Sequence, residues 1–198
     1  MLRAYRRYAP VYDFLFGPIL EQGRIAMAQA VRVASPKTIL EVGVGTGLAL
    51  ARYPTNATAI GVDLSLHMLN RASSLARRQG VAADLICADA EQLPLADSSF
   101  DCVTLPYVLS VTPDPWQLMA ELRRVCMPGG NVFILNHFKG AGVWTFSERI
   151  VEPLADKIGF RSDLSLESIE SEGWAINSVN SVNLFGLSKL VSITNGNA

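Results

Sequence analysis

The 198-residue chain is short of charge and of cysteine, and it has no long uninterrupted apolar run. Charged residues make up 18% of it, against roughly a quarter in ordinary globular domains. No stretch of about 18 apolar residues occurs, so no segment reads as a membrane-spanning helix. The N-terminus has no apolar core leading to a cleavage site, because three arginines and a proline interrupt it. Cys87, Cys102 and Cys126 are odd in number and widely spaced, which excludes a disulfide scaffold. They are expected to be reduced and buried, as in a cytoplasmic protein, and no metal site is expected. Fifteen glycines are too few for a collagen repeat, and no internal repeat or low-complexity linker is present.

What is present is apolar residue, 49% of the chain, with a mean hydropathy of +0.25. That is enough to offset the chain entropy of folding and excludes intrinsic disorder. The length fits a single domain over 1–198, divided into a helical segment over 1–34 and a core over 35–194. The net charge of −1 conceals a split, with +4 over residues 1–37 and −5 over the rest. An acidic body disfavours nucleic acid as a partner.

Residues 1–34 read as helical pieces. Leu2, Tyr5, Ala9, Tyr12 and Phe16 recur at helical spacing, Pro10 and Gly17-Pro18 interrupt, and a further helix covers Ile19–Val33. Strands are expected at Thr38–Val42, Ala59–Asp63, Ala83–Ala88, Phe100–Leu105 and Gly130–Phe138. Helices are expected at Ser65–Gln79 and Pro115–Met127. Apolar strands alternating with helices predict an α/β fold with a parallel sheet covered on both faces. Later, Thr145–Lys157 reads as a helix. Trp174–Asn183 and Leu187–Thr194 read as two strands around Phe185-Gly186, forming an antiparallel edge.

The segment Glu41-Val-Gly-Val-Gly-Thr-Gly47 follows the first strand and is expected to lead into a helix. Open α/β sheets bind ligands at that edge. The spacing is neither G-x-G-x-x-G nor a phosphate-binding loop with Lys and Ser/Thr. Asp63 ends the second strand, where a carboxylate can accept both hydroxyls of a ribose. Asp89 ends the third, where it can accept from an adenine amino group. Glu41, Asp63 and Asp89 thus stand at three consecutive strand ends.

With Gly61-Val-Asp-Leu-Ser65, Met68-Leu69, Asp89-Ala-Glu-Gln-Leu-Pro94, Phe100-Asp101 and Arg123-Arg-Val-Cys-Met-Pro-Gly-Gly130, this set resembles the motifs of class I S-adenosylmethionine-dependent methyltransferases. The resemblance spans about residues 36–138 and implies a Rossmann-like sheet of seven strands with an antiparallel last strand, helices on both faces and an N-terminal helical lid. It implies S-adenosyl-L-methionine as cofactor. Gly43, Gly45 and Gly47 would pass beneath its methionine part, and Asp63 would hold the ribose. Leu64 and Met68 would border the adenine, and Asp89-Ala90 would read its amino group. Glu41 and Leu105 complete the expected cofactor site.

The acceptor must be read elsewhere. Leu105-Pro106-Tyr107 is not the Asn/Asp-Pro-Pro-Tyr of amide and base-amine methylation, and no Pro-Cys stands there for cytosine chemistry. Tyr5-Arg-Arg-Tyr8-Ala-Pro-Val-Tyr12-Asp13 resembles the N-terminal helix of quinone C-methyltransferases and, more closely, of soluble bacterial phosphatidylethanolamine N-methyltransferases. The expected substrate is therefore a phospholipid amine, methylated stepwise to phosphatidylcholine. A basic aromatic helix can lie on an anionic bilayer, so Arg3, Tyr5, Arg6 and Arg7 are expected membrane contacts of a monomer on the cytoplasmic membrane face. Tyr8, Tyr12 and His137 are the expected catalytic residues, since the ammonium must lose a proton before attack. Tyr107 and Trp144 are candidate faces for a methylated cation. The alternatives are a ubiquinone/menaquinone-type C-methyltransferase and a non-catalytic protein that only binds the cofactor.

Overall fold

A computed structural model describes residues 20–138, 165–171, 174–183 and 186–196. The expected N-terminal helices before residue 20, the helix at Thr145–Lys157, and Phe185 lie outside the described residues.

The chain enters α1 (Glu21–Ala34), whose buried face runs through Gly23, Met27 and Val31 at four-residue spacing. Ser35 closes it in the left-handed conformation. β1 (Thr38–Val42), β2 (Thr58–Asp63) and β3 (Ala83–Cys87) then pair in parallel. Between β2 and β3 lies α2 (Leu66–Gln79), capped by the Ser65 hydroxyl at its start and by left-handed Gly80 at its end. β4 (Phe100–Pro106) leads to α3 (Pro115–Val125), where Asp114 accepts from the amides of Trp116 and Gln117 and proline occupies the first turn. β5 (Cys126–Asn136), the short α4 (Leu166–Ser171), β6 (Ile176–Val182) and β7 (Ser188–Thr194) complete the order.

The seven strands form one sheet in the order β3-β2-β1-β4-β5-β7-β6. β7 runs antiparallel to both β5 and β6, so it is the single reversed strand. Period-two alternation divides the core between two faces. Ile39, Cys102, Phe133 and Leu135 pack with Met27 and Val31 of α1. Leu40, Val103, Leu105 and Ile134 pack with Leu118 and Leu122 of α3. At the amino edge, Asp101 accepts from the amides of Lys37 and Thr38 at 2.9 and 2.8 Å. Burial opposes ionisation there, but these hydrogen bonds outweigh it and hold the carboxyl below its usual range.

Three expectations are corrected, and one is refined. The glycine loop leads into a single 3₁₀ turn, Leu50–Arg52, and not a helix; Pro54 holds Tyr53 extended and ends the turn. The late hairpin forms the expected antiparallel edge of the sheet. Its second strand inserts between β5 and β6, because apolar Leu190, Val191 and Ile193 need cover while the middle of β6 is exposed. β5 begins at Cys126, several residues earlier than its apolar run suggested, and a register shift follows between its pairings with Phe100 and Cys102. Cys87 is exposed, unlike buried Cys102 and Cys126, because it lies near the end of edge strand β3.

Candidate functional site

The strand order reverses between β1 and β4, and the crevice outside their carboxyl ends is where such sheets hold ligands. The glycine loop fills one side. Gly43 and Val44 both donate to the Val62 carbonyl, at 2.8 and 2.9 Å, so the loop is pinned to β2. The three glycines have positive φ for different reasons. A Cβ at Gly43 would sit 2.0 Å from Val108, and one at Gly47 would sit 3.1 Å from Ala72 of α2. A Cβ at Gly45 would meet nothing within 4 Å. Gly43 and Gly47 therefore serve packing of the loop, and Gly45 is the position whose bare backbone faces open space.

Asp63 lies beside it. Its carboxylate accepts from the Gly45 amide at 2.9 Å and from the Ser65 amide at 2.8 Å. These two bonds orient the carboxylate beside the glycine loop. Leu64 is exposed and Met68 buried at the start of α2, on the same rim. Asp89 is exposed and accepts from the Glu91 amide at 3.0 Å, with Ala90 partly buried next to it. The Glu91 carboxylate reaches across to accept from Thr112 Oγ1 at 2.7 Å and the Asp114 amide at 2.8 Å, tying the β3 loop to the β4 loop.

Glu41 is the unusual group. It is completely buried, and neither carboxyl oxygen has a hydrogen-bond partner of ordinary geometry among the described residues. Burial pushes the carboxyl up to about 8, against the lowering influence of the Tyr53 hydroxyl and the Arg24 guanidinium. Buried carboxyls are normally hydrogen-bonded, so this one has hydrogen-bonding capacity left unmet. The expected cofactor carries an ammonium group, and the donor set fits it: an orphaned acid, an open glycine and a carboxylate at a strand end. Leu105 is different. Its side chain is fully buried within the core, so β4 can offer only backbone there.

On the other side of the crevice, Tyr107 follows β4 with φ of 62°, a strained conformation for a bulky residue. Its ring centroid lies 5.5 Å from that of His137, which follows β5. Burial raises the Tyr107 phenol, which keeps it protonated at neutral pH. Burial lowers the His137 imidazole, which keeps it neutral, although its bond to the Leu187 carbonyl acts the other way. Asn136 is buried and spent on Ser110 and the His137 carbonyl.

Thus Glu41, Gly45, Asp63 and Asp89 share the carboxyl edge with Tyr107 and His137. Arg3, Tyr5, Arg6, Arg7, Tyr8, Tyr12 and Trp144 lie outside the described residues. Sequence reasoning missed Asn183, Ser188 and Gly23, which surround Tyr107 and His137. The only hint was the polar strand end just before Phe185-Gly186. No group of three or more His, Cys, Asp or Glu suited to a metal occurs among the described residues.

A methyltransferase domain model matches residues 40–134. The chain is 35% identical over 173 residues to a phosphatidylethanolamine N-methyltransferase of Cereibacter sphaeroides, covering 86% of this chain and 84% of that one. It is 31% identical over 170 residues to a demethylmenaquinone methyltransferase of Roseiflexus, covering 79% and 71%. Among solved structures, an S-adenosylmethionine-dependent methyltransferase of Thermotoga maritima superposes with a TM-score of 0.73 at 20% identity, covering 98% and 100%.

Proposed function

The chain belongs to the class I S-adenosylmethionine-dependent methyltransferases, and from that premise we propose that it methylates the amine of phosphatidylethanolamine, stepwise to phosphatidylcholine. Its cofactor is S-adenosyl-L-methionine. The observation that carries the acceptor is the 35% identity to the Cereibacter enzyme over most of both chains. The basic, tyrosine-rich N-terminus supports it, because a lipid substrate requires a chain that docks at a bilayer surface.

When bound, the cofactor supplies an electrophilic methyl group on a sulfonium. In this reading Asp63 accepts from the ribose hydroxyls and Glu41, once ionised, accepts from the amino group. Leu64 and Met68 border the adenine, Asp89-Ala90 meets its amino group, and Gly45 lets the backbone come close. Gly43 and Gly47 shape the loop from behind. Pre-formed positioning and exclusion of water are the main contributions a protein makes to such a displacement. The acceptor amine must first lose a proton. Neutral His137 can take it, whereas the protonated Tyr107 phenol can only donate or accept hydrogen bonds. Tyr107, Trp144, Tyr8 and Tyr12 supply aromatic faces that attract the increasingly methylated cation by roughly 0.5–2 kcal/mol. Arg3, Tyr5, Arg6 and Arg7 hold a monomer to an anionic surface. No helix among the described residues is long and apolar enough to cross a membrane.

Lipid mass spectrometry of a host lacking phosphatidylcholine tests this. Expression should produce mono-, di- and trimethylated ethanolamine lipids. A folded, cofactor-binding chain that yields none refutes the acceptor. The demethylmenaquinone relatives favour a second reading, methylation of a quinone ring carbon. It predicts methylated quinone and unchanged ethanolamine lipids in the same extract.

A further inference from the structure

Asn183 stands where four segments meet. It follows β6, is 8% exposed, and has φ of 63°, a conformation asparagine tolerates better than most residues. Its amide oxygen faces Gly23 of α1, because a backbone N–H can only donate; that bond is 2.7 Å long. The amide nitrogen therefore faces two hydroxyls. It donates to Tyr107 Oη and to Ser188 Oγ, each at 2.8 Å. Ser188 is fully buried, and its Oγ lies 3.2 Å from His137 Nδ1.

The Leu187 carbonyl reveals which imidazole nitrogen carries the hydrogen in this arrangement. It lies 2.7 Å from His137 Nδ1. A carbonyl oxygen can only accept, so Nδ1 carries the hydrogen and the neutral ring has its lone pair on Nε2. The Ser188 oxygen, whose orientation Asn183 sets by donating to it, is a second acceptor for the same N–H. One side chain thus holds the Tyr107 phenol and, through Ser188, the plane and tautomer of His137.

We propose that Asn183 is the positioning residue of the acceptor site: it locks His137 with its proton on Nδ1, so that Nε2 takes the proton from the acceptor amine. This rests on the amine-methylating function proposed above. In that reaction an ammonium N–H bond breaks and the proton passes to Nε2. The nitrogen pair forms the new N–C bond as the C–S bond breaks and its pair remains on sulfur. The imidazolium then returns its proton to water.

Long-range proton–nitrogen NMR of the imidazoles tests the inference directly, since the chain has only two histidines, His67 and His137, and His67→Gln assigns them. The full-length chain should show His137 as a single Nδ1–H tautomer. Asn183→Ala should give a mixture of tautomers. Its kcat on phosphatidylethanolamine vesicles should fall about 100-fold, as expected for a misplaced catalytic group, with unchanged affinity for S-adenosylhomocysteine. Asn183→Asp keeps the shape but can only accept, so the Ser188 hydroxyl should turn to donate to it and still accept from Nδ1–H; the tautomer should be kept, and the added negative charge should move the acidic limb of the kcat profile to higher pH. A pure Nδ1–H tautomer in Asn183→Ala overturns the proposal, whatever happens to kcat. If Asn183→Ala does not fold, Ser188→Ala and Asn183→Asp carry the same two readouts. If the unaltered chain is inactive on phosphatidylethanolamine, the acceptor reading fails, while the tautomer measurement still decides the role of Asn183.

Discussion

Replacing Glu41 by glutamine should make the cofactor-free protein more stable and bind its cofactor worse. The carboxyl has its ordinary value of 4.5 in the unfolded chain and about 8 in the fold, chiefly because burial disfavours the charged form. A raised folded value means that the group's contribution to stability is complete below the unfolded value and is lost as pH rises through the folded one. Between those values the slope is about 1.4 kcal/mol per pH unit. At pH 7 the acid has therefore cost about 3 kcal/mol relative to acidic conditions, and about 5 kcal/mol once pH passes 8. Glutamine has the same shape and does not titrate. Glu41→Gln should match the parent near pH 5 and exceed it by up to about 3 kcal/mol at pH 7, or roughly 6–12 °C in Tm for a chain of this size. Thermal melts of the cofactor-free protein from pH 5 to 8.5 measure this. In the same samples, affinity of the parent for S-adenosylhomocysteine should rise with pH up to about 8, because the ammonium is held by the ionised form. The variant should lose that rise. Parallel Tm profiles for the two proteins would refute the assignment of Glu41 as a neutral, orphaned acid. A variant less stable than the parent at pH 7 would show that the carboxylate is charged and paired.

Three further outcomes probe separate parts of the molecule. Asp63→Ala should abolish S-adenosylhomocysteine binding by calorimetry while the melt stays cooperative; unchanged affinity contradicts the ribose assignment. Gly23→Ala should destabilise the fold. The usual gain of about 0.5–1 kcal/mol for alanine in a helix is outweighed by overpacking of about 1–3 kcal/mol, since its Cβ would lie 2.6 Å from Tyr107 Oη and 2.9 Å from Asn183 Nδ2. A higher Tm for this variant would show that the contacts relax freely. Replacing Arg3, Arg6 and Arg7 together by alanine should weaken binding to anionic liposomes, more at low salt than at high salt, since screening already removes the attraction at high salt. Equal liposome binding would remove this segment from the membrane surface.

Local sequence determined the β1–β5 strands, α2 and α3 to within a few residues, because period-two and helical spacing and the caps at Ser65 and Asp114 are short-range signals. It also determined the acids at the strand ends, since Glu41, Asp63 and Asp89 fall where parallel strands deliver their residues to one edge. Tertiary structure alone decided the rest. The glycine run does not announce that Gly43 and Gly47 face Val108 and Ala72, whereas Gly45 faces open space. The order of the last two strands depends on which of them must be covered on both faces, and that depends on β5 as a neighbour. The value of about 8 for Glu41 arises from burial by elements distant in sequence. Asn183 meets Gly23 from 160 residues away and Tyr107 from 76. No periodicity or spacing encodes such a meeting, because it exists only once β6, β4 and α1 have converged on one edge of the sheet.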